Sequence, residues 1–109
     1  MPSKRAEVRP PPFAATPAAV VVRIPGLLRS YTDGAATVAL ASPRAPATLA
    51  DALAELDRRF PGLRFRIVDE QGRLRPHIKA FVDGALVRDL ATPLPPAADL
   101  MLVGALSGG

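Results

Sequence analysis

The sequence closes on Ser107-Gly108-Gly109, a few residues after the apolar run Leu100-Met101-Leu102-Val103. Two consecutive residues without side chains let a backbone thread a narrow channel, and they leave the acyl carbon of Gly109 open to approach from either face. Residues 105–109, at 3.3 to 3.6 Å per extended residue, reach about 17 Å, far enough to enter a neighbouring active site. In this reading the last atoms of the chain are its active group. The same residue types also make a frayed terminus, so the remainder of the chain decides between the two.

That remainder holds little that could do chemistry by itself. There is no cysteine, and His77 is the only histidine. Disulfide scaffolds, thiolate metal sites and cysteine nucleophiles are therefore excluded, and a protein-borne zinc with three or four Cys or His ligands is not expected. No serine sits in a G-x-S-x-G context that would make it a partner for His77, and no G-x-x-x-x-G-K-[ST] loop is present to cradle a nucleotide. His77 is read as starting a strand or facing solvent. No catalytic residue, no metal and no bound cofactor are expected: chemistry involving this chain is performed by another protein.

The chain has 109 residues, 49% of them apolar, with a formal net charge of +4. That length suits one domain with one core. Lys4, Arg5 and Arg9 against Glu7 place half of the net charge in residues 1–18, where Pro2, Pro10, Pro11, Pro12 and Pro17 oppose regular structure. This stretch is read as a disordered, proline-rich arm. With one Tyr, no Trp and scattered arginines, the chain lacks the clustered cations and stacking platforms that nucleic-acid binding uses, so no nucleic-acid partner is expected. No apolar run approaches the roughly 20 residues of a bilayer span, and the first residues lack a signal-peptide pattern. No membrane association is expected, and the cytoplasm is the expected location.

The elements that would carry the tail follow in order. Ala19 to Ile24 reads as a strand ended by Pro25-Gly26. Asp33-Gly34 marks a turn into an antiparallel Thr37-Val38-Ala39-Leu40, making a hairpin with a long loop. Thr48 with Asp51 resembles a capping box. Leu49, Ala52, Leu53, Leu56 and Phe60 then form one helical stripe, with Asp57, Arg58 and Arg59 assigned to the wet side and Pro61-Gly62 stopping the helix. Phe65-Arg66-Ile67-Val68 is read as a helical or irregular turn. Ile78 to Val82 is a strand, Asp83-Gly84 a tight turn, Ala85-Leu86-Val87 its return, and Leu100 to Val103 the closing strand. Leu100 and Leu102 are assigned to the core in preference to a docking patch that would include Leu106. Arg23, Arg29 and Arg88 are candidates for an acidic partner surface, with simple solvation as the alternative.

A ββαβββ order in about ninety residues is the β-grasp arrangement of ubiquitin-like proteins, an α+β fold with a mixed sheet, one crossing helix and a projecting C-terminus. The expected organisation is an arm over 1–18, a β-grasp domain over 19–104 and a flexible diglycine tail over 105–109. First and last strands lie side by side in the middle of that sheet, and the near-continuous apolarity of AVVVRI and LMLV is read as the mark of such central strands.

On these residues the sequence resembles the ThiS/MoaD-like sulfur-carrier family, the ubiquitin-like small proteins of thiamine, molybdopterin and cysteine biosynthesis. The resemblance covers roughly Val20 to Gly109. It rests on Ile24-Pro25-Gly26-Leu27-Leu28-Arg29 followed by Thr32-Asp33-Gly34, on Val82-Asp83-Gly84, and on Gly108-Gly109. The form I-P-x-x-L-R-x-x-T-x-G, with Arg75-Pro76-His77 ahead of the third strand, looks most like the carrier of the cysteine-synthase type. Molybdopterin synthase small subunits tend to show an aromatic and a small residue where Ile24 and Pro25 stand. The resemblance implies that an E1-like adenylyltransferase of the MoeB/ThiF kind uses ATP to adenylate the carboxylate of Gly109, after which a sulfur donor leaves a thiocarboxylate there. Gly108 and Ser107 would thread the channel. The sulfur would pass to a cysteine-synthase-like enzyme or to the large subunit of molybdopterin synthase. Alternatives are a molybdopterin synthase small subunit, a ubiquitin-like modifier conjugated through the diglycine, and a β-grasp interaction module with an idle tail.

Overall fold

The computed structural model describes residues 19–41 and 45–104. Strand β1 is Val20–Arg23, and β2 is Thr37–Leu40. Helix α1 spans Leu49–Arg59, and a single-turn helix α2 spans Leu63–Ile67. Strands β3 (Ile78–Val82), β4 (Ala85–Val87) and β5 (Asp99–Gly104) follow. The five strands form one sheet in the order β2-β1-β5-β3-β4. β1 and β5 are its central, parallel pair, with Val22 beside Leu100, and the other three pairings are antiparallel. The fold is the α+β, ubiquitin-like β-grasp that the element order predicts.

Each element starts and stops for a local reason. The Thr48 hydroxyl accepts the amide of Asp51 at 3.1 Å, which caps α1. The Leu49 and Ala50 amides, orphaned at a helix start, donate to the carbonyls of Thr92 and Leu90 in the β4–β5 connection. Asp83 and Gly84 both hold positive φ, 48° and 88°, the left-handed pair that a two-residue hairpin requires between β3 and β4. Beyond α1, one carboxylate oxygen of Asp57 accepts the amides of Gly62 and Arg64, which turns the chain into α2.

The core lies between α1 and one face of the sheet. Leu49, Leu53 and Leu56 of α1 are fully buried against Val20, Val22, Leu40, Leu100 and Leu102, and Leu63 and Ile67 of α2 close one end. Burial of each such side chain contributes about 1.5 to 3 kcal/mol.

Three readings of the sequence change. α1 ends at Arg59, and Phe60 is its half-buried cap instead of its last turn. Arg59 is also half-buried: it donates to Glu55 on its own helix and to the Ala39 carbonyl on edge strand β2, so it bridges helix and sheet where solvent was expected. The long loop of the first hairpin is a 3-10 helix over Gly26–Thr32, whose two buried residues, Leu28 and Thr32, are four apart and too few for a periodic signal. The reading of AVVVRI and LMLV as central strands holds, since β1 and β5 each have a strand on either side. Along β5, Leu100 and Leu102 are buried while Met101 and Val103 are exposed. The apolar continuity of LMLV thus includes a second, exposed apolar face.

Candidate functional site

Ser107, Gly108 and Gly109 lie outside the described residues, as does Leu106. What the structure places is the point from which they depart: Gly104, the last residue of β5, paired with Ile78 at the start of β3. The root of the tail is therefore the end of a central strand, with β3 beside it at Ile78 and, β1 having ended opposite Met101, the segment after β1 on the other side.

The segment Ile24 to Gly34 builds one wall of that exit. Ile24 is buried at the end of β1, and Pro25, in extended conformation, opens the 3-10 helix. Arg29 reaches back to donate from Nε to the Ile24 carbonyl at 3.0 Å, fixing the turn. The buried Thr32 hydroxyl donates to the Ala35 carbonyl at 2.8 Å, satisfying both polar groups where the helix ends. Asp33 and Gly34, with φ of 55° and 85°, then turn the chain toward β2. This arrangement sets Leu27 against Gly104. A Cβ on Gly104 would overlap the Leu27 side chain and come within 3.5 Å of Ile78 Cδ1, so glycine at 104 lets the root of the tail pass close beneath the 3-10 helix. A shallow recess of about 350 Å³ borders the root on the β1 side, between Arg29, Pro25 and Val103.

Below the exit, the outer face of the sheet carries Met101 and Val103 on β5 and, by cross-strand register, Phe81 on β3 and Leu86 on β4. Phe81 stands opposite both Met101 and Leu86. Leu86, Met101 and Val103 are 45%, 38% and 37% exposed, and together the four make an apolar strip leading to the tail. Arg23 grips Asp99 with both carboxylate oxygens at 2.9 to 3.1 Å at the far end of β5, and this contact holds the Asp99 carboxyl below the usual carboxylate range. Arg23 is thus committed to an ion pair and Arg29 to a carbonyl, while Arg88 is exposed. His77 is exposed one residue before β3. The strip is the part of the site that the residue reading misses. Its signal is parity: once Leu100 and Leu102 face inward, Met101 and Val103 face outward.

Among the described residues no cluster of three or more His, Asp or Glu forms a metal-holding group, and no helix is long and apolar enough to cross a membrane. The geometry can present a strand end and a binding face to another protein.

Solved structures share this arrangement. CysO from Amycolatopsis orientalis, crystallised in complex with BexX, matches with a TM-score of 0.74 and 28% identity over 84% of this chain and 100% of that one. CysO from Mycobacterium tuberculosis matches at 0.71, with 26% identity over 80% of this chain and 99% of that one. The chain has the ThiS/MoaD-like, CysO-type fold. SAMP1 from Haloferax volcanii, with a TM-score of 0.69 and 26% identity over 84% of this chain and 99% of that one, shares it too. No protein-family model matches the chain, and no curated protein does. These likenesses support a ubiquitin-like sulfur carrier or modifier.

Proposed function

We propose that this chain is a sulfur carrier whose working group is the carboxylate of Gly109. An oxygen of that carboxylate attacks the α-phosphorus of ATP on an E1-like adenylyltransferase, pyrophosphate leaves, and an acyl-adenylate remains. Hydrosulfide from a sulfur donor then attacks the acyl carbon, the acyl–oxygen bond to AMP breaks, and loss of the sulfur-bound proton leaves a thiocarboxylate at the end of the chain. A carboxylate is a poor acyl donor; the mixed anhydride supplies the better leaving group. The ATP belongs to the partner and is consumed there.

The observation that carries this reading is the position of β5. A central strand, fixed on both sides, ends at Gly104 beside the Ile24–Gly34 wall, and the sequence continues for five residues to a diglycine. The sheet fixes the position of the root, and five residues at full extension span about 17 Å. The likeness to two CysO proteins favours a cysteine-type acceptor, and a cysteine-synthase-like enzyme is the proposed recipient. The likeness to SAMP1 favours a second reading, in which Gly109 is joined to a lysine of a target protein.

The test incubates the intact chain with ATP, its adenylyltransferase and a sulfide or persulfide source. The expected product is heavier by the difference between one sulfur and one oxygen, with the change localised to Gly109. A chain carrying one extra residue after Gly109 is expected to remain unmodified, since the reacting carboxylate is then displaced by about 3.5 Å. Equal sulfuration of the extended chain overturns the carrier reading, and isopeptide adducts without thiocarboxylate in cell extract replace it with the modifier.

A further inference from the structure

The free edge of the sheet on the β4 side carries a concentration of positive charge that folding does not explain. β3 pairs with β4 so that Ala80 lies opposite Val87, the last residue of β4; Lys79 precedes that pair on β3 and Arg88 follows it, so two exposed cations lie at the same end of the hairpin. Neither residue has a carboxylate within ion-pair distance among the described residues, where the only ion pairs join Arg23 to Asp99 and Glu55 to Arg58 and Arg59. Two more cations join them: Arg73 and Arg75 line the same cleft of about 250 Å³ with Lys79 and Arg88, and no acidic residue lines it. Arg75 is held in place by donation to the Phe65 carbonyl at 2.7 Å and by its position 4.7 Å from the Phe65 ring centroid. Neither contact neutralises its charge. The floor of the cleft is apolar, made by Leu74, Leu86 and Val87.

We infer that this cleft is a docking site for an acidic segment of a protein partner, one whose carboxylates meet Lys79, Arg88, Arg73 and Arg75 while an apolar side chain rests on Leu86 and Val87. Charge complementarity sets the sign of the occupant. The floor sets its class: a free phosphate leaves the apolar surface uncovered, and no aromatic side chain lines the cleft for a nucleobase to stack on. Position adds the third argument. Lys79 is paired with Val103, one residue before the root of the tail, and Leu86 belongs to the outer apolar strip, so a partner that receives the tail also covers the cleft. The inference rests on the carrier reading only in this last step.

The test titrates the full, isotopically labelled chain with a capped peptide, Asp-Leu-Asp-Val-Glu-Glu, and follows backbone amide shifts. Expected are shifts over residues 73–88 and Val103, and an affinity reduced at least about tenfold by Lys79→Glu with Arg88→Glu and also by raising salt from about 0.05 to 0.5 M. Both side chains are exposed, so the double variant's melting temperature is expected to lie within a few degrees of the native chain's, which shows that lost binding is not lost folding. Deleting Gly108 and Gly109 should leave peptide affinity unchanged. Sulfuration absent with binding intact overturns the carrier reading alone; binding absent, or unaffected by the charge reversals, overturns the cleft. Equal binding of a thymidine oligonucleotide of matching charge through the same residues, or self-association through them, assigns the cleft to a nucleic acid or to a second copy and likewise overturns the inference.

Discussion

Leu100 and Met101 are neighbours in one strand and of similar hydrophobicity, yet Leu100 is fully buried under α1 and Met101 stands 38% exposed on the opposite face. The two faces of this sheet are both apolar, and only one is covered. The inner face is closed by α1 and α2, whose stripe Leu49, Leu53, Leu56, Leu63 and Ile67 has no other surface to bury against. The outer face has no second layer among the described residues, and it runs into the root of the tail. An uncovered apolar strip rimmed by charge marks an interaction surface. The difference teaches that in this chain apolarity on the inner face holds the fold, while apolarity on the outer face stays available to another molecule.

The sharpest way to break that comparison is to truncate one side chain on each face. Leu53→Ala, which empties space between helix and sheet, should cost about 2 to 5 kcal/mol in denaturant unfolding. Met101→Ser combined with Val103→Ser should cost less than about 1 kcal/mol, because both side chains are already substantially exposed. In the sulfuration assay the double variant should instead raise the KM for the adenylyltransferase. A loss of stability in the double variant equal to that of Leu53→Ala would show that the outer strip is structural and remove the distinction between the faces.

A smaller effect is expected at the border between the two. Gly104→Ala places a methyl group against Leu27, which at 38% exposure can swing toward solvent, so the expected cost is about 1 kcal/mol or less. The redirected root of the tail should slow sulfuration by more than that loss accounts for. Equal rates in variant and native chain would show that the 3-10 wall does not guide the tail.

How much of this was legible in the sequence follows the same division. The elements facing inward announce themselves, because Leu49, Ala52, Leu53 and Leu56 repeat at helical spacing and Thr48 supplies a cap that the structure uses. The turns at Asp33-Gly34 and Asp83-Gly84 are legible because the backbone there needs positive φ. The outer strip was not, since a run such as LMLV reads the same whether its second face is covered or bare, and only the tertiary layer count decides. The 3-10 wall was hidden for another reason: of its seven residues only Leu28 and Thr32 are buried, which leaves no periodicity to read. The Arg59 bridge escaped because a helix-end arginine gives no sign of whether its guanidinium finds a carbonyl on edge strand β2 or water.

The smallest expected effects separate the faces by their ion pairs. Glu55, half-buried on α1, accepts from Arg58 and Arg59, and these contacts lower its carboxyl from 4.5 to about 2. Asp99, at the edge of the outer face, is lowered by the hydrogen bonds and charge of Arg23, in a pair whose two side chains are 53% and 43% exposed. For both carboxyls the folded value lies below the unfolded one, so their stabilisation is fully present above the unfolded value and is lost as pH falls through the folded one. For Glu55 that loss falls between about pH 4.5 and 2. Glu55→Gln should therefore flatten the decline of the melting temperature in that window and lower stability at neutral pH, where the native carboxylate also ties Arg59 to the helix beneath β2. Asp99→Asn should change the same curve less, because solvent screens an exposed pair and its removal disturbs no packed layer. An Asp99→Asn chain with the larger change in acid would mean that the end of β5 is clamped by Arg23 more firmly than the helix is tied to the sheet, and that the outer face contributes to the fold after all.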